Sequence, residues 1–160
     1  MYRVGTGWDA HPFGGPGPVI LGGAAIDHRQ GLEGHSDADV LLHAVCDALF
    51  GAAGLPDIGA HFPDTDQQYK GISSIELLKK TAGIIEDAGF RVVNVDTVII
   101  AQAPRLSDHL EEMKNNMAAA LEIPPRRAGV KASAPEGMGP IGSDKGIAAQ
   151  AVACLVKKEI

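Results

Sequence analysis

Apolar residues in this chain follow two rhythms, one near every second position and one near every 3.6, and the changes of rhythm divide it into elements. Tyr2 to Gly7 reads as a strand that delivers Trp8-Asp9-Ala10-His11 at its end, and Pro12 to Pro18, rich in glycine and proline, reads as a loop. Val19 to Leu21 and Ala24 to His28, split by Gly22-Gly23, read as a hairpin. From Ser36 to Ala53 the period lengthens. Leu41, Val45, Ala48 and Leu49 form one apolar side of a helix, and Ser36-Asp37-Ala38-Asp39 has the form of a capping box. A second helix is predicted from about Ser74 to Ala88, closed by Gly89, and a third from about Ser107 to Leu121. Val92 to Ala101 is apolar and β-branched, as a buried strand is, and Gly129 to Ala132 is a shorter strand. Gly54 to Gly71 and Pro135 to Gly142 read as loops, the first long enough to suggest function. Ile147 to Val156 stays ambiguous, its alanines favouring helix and its length suiting a buried strand.

This order predicts an α/β fold of the α+β-layer type, a mixed β-sheet with helices packed on one face, in one domain over residues 1–160. Composition narrows the class. Apolar residues are 45% and charged ones 21%, ordinary for a globular protein, while aromatics are only 4%, so the core rests on Ala, Val, Ile and Leu. The net charge is −6 and no run of Lys or Arg marks a nucleic-acid surface, so a phosphorylated ligand would need metal ions or helix N-termini to balance it. Cys46 and Cys154 lie in apolar stretches and read as reduced core residues. The longest apolar run, near Gly146 to Val156, is too short for a membrane span. With no leader recognised at its start, the chain is expected in the cytoplasm, although a removed organelle-targeting segment would leave no trace.

One constellation carries chemistry. Asp9 and His11 are two apart on a strand and point to one face, while His43 and Asp47 are four apart on a helix and share a side, with Asp39 a turn earlier. Carboxylates and imidazoles on such an apolar helix are costly to bury unless something compensates, and a divalent cation would. Two His and one Asp suit Zn²⁺ with one position open for substrate, and Asp47 would orient His43 or a bound group. A lone Asp-x-His is more often a surface pair, and Asp39 by itself fits a capping role better than a ligand role. His28, His61 and His109 read as solvated.

Gly5-Thr6-Gly7-Trp8-Asp9-Ala10-His11, His35-Ser36-Asp37-Ala38-Asp39-Val40, His43-Ala44, Asp47-Ala48-Leu49, Asp57-Ile58-Gly59, Phe62-Pro63-Asp64-Thr65-Asp66, Asn94-Val95-Asp96 and Ala101-Gln102-Ala103-Pro104 together resemble the 2-C-methyl-D-erythritol 2,4-cyclodiphosphate synthase family. The resemblance covers essentially the whole chain, in its stand-alone form. It implies a homotrimer with active sites between subunits, acting on 4-diphosphocytidyl-2-C-methyl-D-erythritol 2-phosphate. The 2-phosphate attacks the β-phosphorus, CMP leaves, and a cyclic diphosphate forms. Asp9, His11 and His43 would bind Zn²⁺, and Glu136 would bind a second ion, Mg²⁺ or Mn²⁺.

The resemblance also assigns the substrate contacts. His35 and Ser133 would be catalytic. Asp9, Ala10, His11, His35 and Ser36 would contact substrate, with His35 and Ser36 holding phosphate oxygens at a helix N-terminus. Asp57, Ile58 and Gly59, then Phe62, Pro63, Asp64, Thr65 and Asp66, would meet the methylerythritol. Ala101, Gln102, Ala103, Pro104, Arg105, Leu106 and Ser107 would form the cytidine pocket with Lys131, Ser133, Ala134, Pro135 and Glu136. The chain departs from the family at Ala134, where a transition-state-stabilising Thr is usual. It departs again at Ser143 and Gln150, which replace an Arg and an acid near the three-fold axis, where some relatives hold a prenyl diphosphate. A zinc-dependent phosphohydrolase and a catalytically impaired trimer are the competing readings.

Overall fold

The computed structural model describes residues 1–158. Its main sheet has five strands in the order β4-β1-β7-β5-β6. These are β1 (Tyr2–Pro16), β4 (Gln30–Leu32), β5 (Phe90–Ile100), β6 (Ala128–Ser133) and β7 (Gly146–Lys157). Only β5 and β6 run parallel; the other neighbours are antiparallel. Strands β2 (Val19–Leu21) and β3 (Ala24–Ile26) form the expected hairpin as a separate two-stranded sheet. The main helices are α1 (Val40–Ala53), α3 (Ser74–Asp87) and α4 (Leu110–Ala120), with α2 (Ile58–His61) and α5 (Gly139–Gly142) as single turns. Helix α1 packs on β1 and β7, α3 on α1 and β5, and α4 on β6, which gives the predicted layer of helices over one face of a mixed sheet.

The covered face explains the alanine-rich C-terminal segment. The ambiguity there resolves as strand β7, whose inward residues Ala149, Ala151 and Ala153 are small because α1 lies close above them. The same closeness is built into β1. A Cβ on Gly5 would sit 2.2 Å from the Ala48 carbonyl oxygen, and one on Gly7 would sit 2.0 Å from that of Ala44. Helix α1 itself is buried nearly all round. Its half-buried polar side chains, His43 and Asp47, look out to one side.

Four expectations need correction. Pro12 to Pro16 is strand: β1 continues past the end of β7 at Pro12↔Gly146 and pairs with β4 from Phe13, where proline costs little at a sheet edge. Strand β4 itself is an element that the residue pattern does not predict. Helix α1 starts at Val40, with Asp39 as its N-cap accepting from Leu42 N, so Ser36 is not the cap; Ala38, at φ +58°, turns the chain just before it. Cys154 is half-buried on the outer sheet face, while Cys46 is in the core with its thiol pKa pushed up to about 12 by burial. The outer face also leaves Tyr2, Val4, Trp8 and Val152 exposed, at 71%, 69%, 63% and 42%. No described helix is long and apolar enough to cross a membrane.

Candidate metal centre and substrate cleft

Asp9 and His11, as alternate residues of β1, both face α1, and the Gly5–Gly7 approach brings His43 of α1 down between them. Asp9 Oδ2 lies 2.9 Å from His11 Nε2 and 3.1 Å from His43 Nδ1, and the two imidazole nitrogens are 3.3 Å apart. A tetrahedral ion with bonds of about 2.0–2.1 Å would need a face with edges of about 3.3–3.4 Å, so this triangle is already near that size. Two borderline imidazoles and one carboxylate are donors that a divalent transition metal accepts. Burial alone would raise the pKa of Asp9, but hydrogen bonds and charge from His11 and His43 outweigh it and hold the carboxyl well below its usual range. The hydrogen bond to Asp9 raises that of His11. His11 Nδ1–H donates to the Glu33 carbonyl oxygen at 2.6 Å, which turns Nε2 toward the centre. The structure thus joins the three residues predicted as metal ligands into one site.

The other polar residues of α1 have different work. Asp39 is fully buried and turned away, accepting from Gly22 N at 2.9 Å and Gly23 N at 2.8 Å, so it clips the β2–β3 hairpin to the helix. Desolvation pushes its pKa up to about 6 despite those donors. Asp47 accepts from Ile58 N at 2.8 Å and makes no hydrogen bond to His43, so it anchors the segment from Asp57 rather than orienting the imidazole. Burial raises its pKa.

A cleft of about 340 Å³ opens beside the centre. His11, His35, Ser36, His43, Ile58, Gly59, Phe62 and Asp64 line it, together with Tyr69 and Leu77, which no sequence motif singles out. His35 and Ser36 precede the N-cap of α1 by four and three residues, so they sit in the approach loop and not on the helix N-terminus. His35 Nε2 is 3.4 Å from the Asp66 carbonyl oxygen, which links that loop to the Phe62–Asp66 segment. Asp57 caps α2 through Ala60 N, and Asp66 accepts from Gln68 N. Thr65 is exposed and Pro63 half-buried. The three remaining histidines are all half-buried rather than solvated: His61 stacks on Phe50 at 4.1 Å and His28 on Phe13 at 4.8 Å, while His109 starts α4.

The residues from 101 to 107 and from 131 to 136 meet elsewhere. Ala101 N donates to the Ser133 carbonyl oxygen at 3.2 Å, and Gly137 N donates to Gln102 Oε1 at 3.0 Å, so the two loops are tied together. Arg105 donates to Ser107 Oγ, and the Lys131 ammonium is held by the Asp96 carboxylate. Leu106 is buried, while Ala103 and Pro104 are half-buried. Ser133, Ala134 and Glu136 are exposed, and Pro135 is half-buried. The register Asp9↔Ala149↔Ile99↔Ala132 puts these loops at the same end of the sheet as the metal centre. They lie three strand spacings, roughly 14 Å, to the side. A larger depression of about 470 Å³ lies at the far end of α3, lined by Arg91 and Arg127 and by Lys79 and Lys158, which are paired with Glu76 and Glu86.

A three-donor cluster that could hold a metal ion, open to a cleft on a helix layer over a mixed sheet, has the form of an enzyme's active site. The YgbB family profile matches residues 2–156, and the chain belongs to that family. It is 54% identical over 153 residues to the 2-C-methyl-D-erythritol 2,4-cyclodiphosphate synthase of Syntrophomonas wolfei, covering 96% of this chain and 98% of that relative. Among solved structures it superposes on the bifunctional IspDF of Campylobacter jejuni with a TM-score of 0.95 and 40% identity, covering 99% of this chain and 43% of that one. It superposes on an IspF of Plasmodium falciparum in complex with CDP with a TM-score of 0.85 and 30% identity, covering 99% and 97%.

Proposed function

We infer that the chain is a 2-C-methyl-D-erythritol 2,4-cyclodiphosphate synthase, a phosphorus–oxygen lyase of isoprenoid-precursor biosynthesis, acting as one domain in the cytoplasm. The observation that carries this reading is the Asp9–His11–His43 triangle opening into the cleft that holds His35, Ser36 and Asp64. In the reaction a 2-phosphate oxygen attacks the β-phosphorus of the cytidyl diphosphate, the bond to the CMP oxygen breaks, and CMP leaves with that electron pair. The nucleophile is already an anion, so the chain need not supply a strong base; it must hold two negative groups in line.

Asp9, His11 and His43 would hold Zn²⁺, and Glu136 would ligate Mg²⁺ or Mn²⁺. When bound, these ions neutralise and polarise the diphosphate. His35 and Ser36 would hold phosphate oxygens from the approach loop. Asp57, Ile58, Gly59 and the Phe62–Asp66 segment would take the methylerythritol end, with Asp64 meeting its hydroxyls. Residues 101–107 and 131–136 would take the cytidine; the CDP complex of the Plasmodium falciparum relative supports a cytidine nucleotide. Ser133 offers the one hydroxyl between Ala132 and Glu136, and it would do the work of the Thr that Ala134 replaces.

A trimer fits both the uncovered face of the sheet and the separation of the two loop groups. Burying the stripe of Tyr2, Val4, Trp8 and Val152 against two other copies would remove it from water. It would also carry one subunit's 131–136 loop toward a neighbour's cleft, whose own lining contains none of those residues. The test is ³¹P NMR of the protein with the cytidyl substrate, Zn²⁺ and Mg²⁺. CMP with a cyclic diphosphate is the expected result. CMP with an open-chain diphosphate would indicate a phosphohydrolase instead, and unchanged substrate a non-catalytic trimer.

A further inference from the structure

Behind the metal centre lies a chain of polar groups that the reaction itself does not use. His43 turns Nδ1 to the centre, and its Nε2 lies 3.0 Å from Ser74 Oγ. Ser74 is the first residue of α3 and is fully buried, and its hydroxyl donates to Asp37 Oδ1. The Asp37 carboxylate also accepts from Ser74 N at 2.9 Å and from Asp39 N at 3.2 Å, so it is pinned between the approach loop and α3. A serine hydroxyl has one proton. With that proton committed to Asp37, Ser74 Oγ faces His43 as an acceptor. The neutral imidazole then keeps its proton on Nε2, and the Nδ1 lone pair points at Asp9 and His11. Ser36 Oγ also lies 3.0 Å from Nε2, but its proton is not committed to any carboxylate, so it does not fix the direction.

We propose that Asp37 and Ser74 are positioning residues for the metal centre: together they hold His43 in the tautomer and orientation that make Nδ1 a ligand. This rests on reading Asp9, His11 and His43 as a metal site. His11 has its counterpart in the Glu33 carbonyl oxygen, so both imidazoles are oriented from behind by an acceptor on the nitrogen remote from the centre. The pair also couples the centre to α3, because Asp37 can reach Ser74 only while the start of α3 stays against the approach loop.

The test compares Ser74→Ala, Ser74→Thr and Asp37→Asn with the wild-type chain, measuring zinc affinity by chelator competition and melting temperature on the same samples. Loss of an orienting partner behind a ligand typically weakens metal binding by about 10–100-fold, and Ser74→Ala should fall in that range. Asp37→Asn should lose at least as much, because an amide N–H donated to Ser74 Oγ turns the hydroxyl proton onto His43 Nε2. Ser74→Thr keeps the hydroxyl and should keep the affinity, although its extra methyl in a filled site lowers the melting temperature. A purely structural role reverses that order, since alanine fits the buried site more easily than threonine. Affinity lost in the Ala and Asn variants and kept in Thr supports the positioning pair. Affinity that tracks the melting temperatures, or is unchanged in Ser74→Ala, overturns it. A wild-type chain that binds no zinc would remove the metal reading itself, a result distinct from the others.

Discussion

Gly7→Ala is the perturbation that most directly tests how this fold makes its site. A Cβ at residue 7 would lie 2.0 Å from the Ala44 carbonyl oxygen and 2.7 Å from Ala48 N, both backbone atoms of α1. No rotamer change can relieve a clash with backbone, so β1 and α1 must separate by about 1.4 Å to reach an ordinary contact near 3.4 Å. Gly7 is two residues before Asp9, and Ala44 directly follows His43, so the separation falls on the ligand triangle. Applied to the 3.1 Å edge between Asp9 and His43, it gives about 4.5 Å, well beyond what one tetrahedral ion can bridge. Overpacking of this kind costs about 1–3 kcal/mol, and a clash confined to backbone belongs at the upper end. For a chain of this size that lowers the melting temperature by roughly 6–12 °C.

The assay is thermal unfolding together with zinc competition and turnover. Gly5→Ala is the internal comparison. Its Cβ would meet the Ala48 carbonyl oxygen at 2.2 Å and Ala52 N at 2.3 Å, a turn further along α1 from His43. It should cost similar stability while sparing more of the zinc affinity. A Gly7→Ala chain that melts early yet binds zinc as the wild type does would refute the idea that this contact sets the ligand spacing.

Three further outcomes are expected. Asp39→Asn should lower the melting temperature at pH 7, because its amide presents N–H to Gly23 N–H. It should also flatten the pH dependence: the Asp39 pKa is about 6 in the fold against 3.8 for an unperturbed aspartate, so the folded state holds an extra proton in that window. The group's contribution to stability therefore declines as pH rises from about 4 to 6 and is level above. Asp47→Ala should leave zinc bound but free Ile58 N, loosening the segment from Asp57 and raising KM more than it lowers kcat, as steady-state kinetics would show. In native protein, Ellman's reagent should label neither thiol, Cys46 because it is in the core and Cys154 because the proposed trimer would cover the outer sheet face; one reactive thiol per chain would mean that this face is open.

Much of the site was legible because it depends on local periodicity. Residues 9 and 11 share a strand face whatever the rest of the fold does, and His43 is one of few polar residues on an apolar helix. What escaped depends on contacts between distant segments. The Ser36–Asp39 stretch satisfies the local form of a capping box, yet the helix begins at Asp39, because its carboxylate is also claimed by Gly22 N and Gly23 N of the hairpin. Asp47 pointed down the expected side of α1, but its partner is the backbone of Ile58, which no spacing within the helix reveals. Ser74 was indistinguishable from a helix-start serine. In the fold Ser73 takes the capping position, accepting from Ile75 N, and Ser74 is left free to turn inward to Asp37 and His43.

The charge of the cleft accords with the proposed metal. The cleft is lined by His11, His35, His43, Ser36, Asp64 and Tyr69, with no Lys or Arg among its residues, in a chain of net charge −6. The Lys131 ammonium is paired with Asp96 at the neighbouring loops, and the other described lysine pairs lie on the helices or at the chain's end. A ligand carrying several phosphate charges therefore meets no fixed side-chain cation in the cleft. Hydroxyls and backbone N–H groups can orient it but cannot balance it. In the proposed reaction the balancing positive charge would come from the bound cations. The chain's contribution is to hold three donor atoms 2.9–3.3 Å apart, through two glycines on β1 and orienting acceptors behind both histidines, so that the ion finds its face of ligands already assembled.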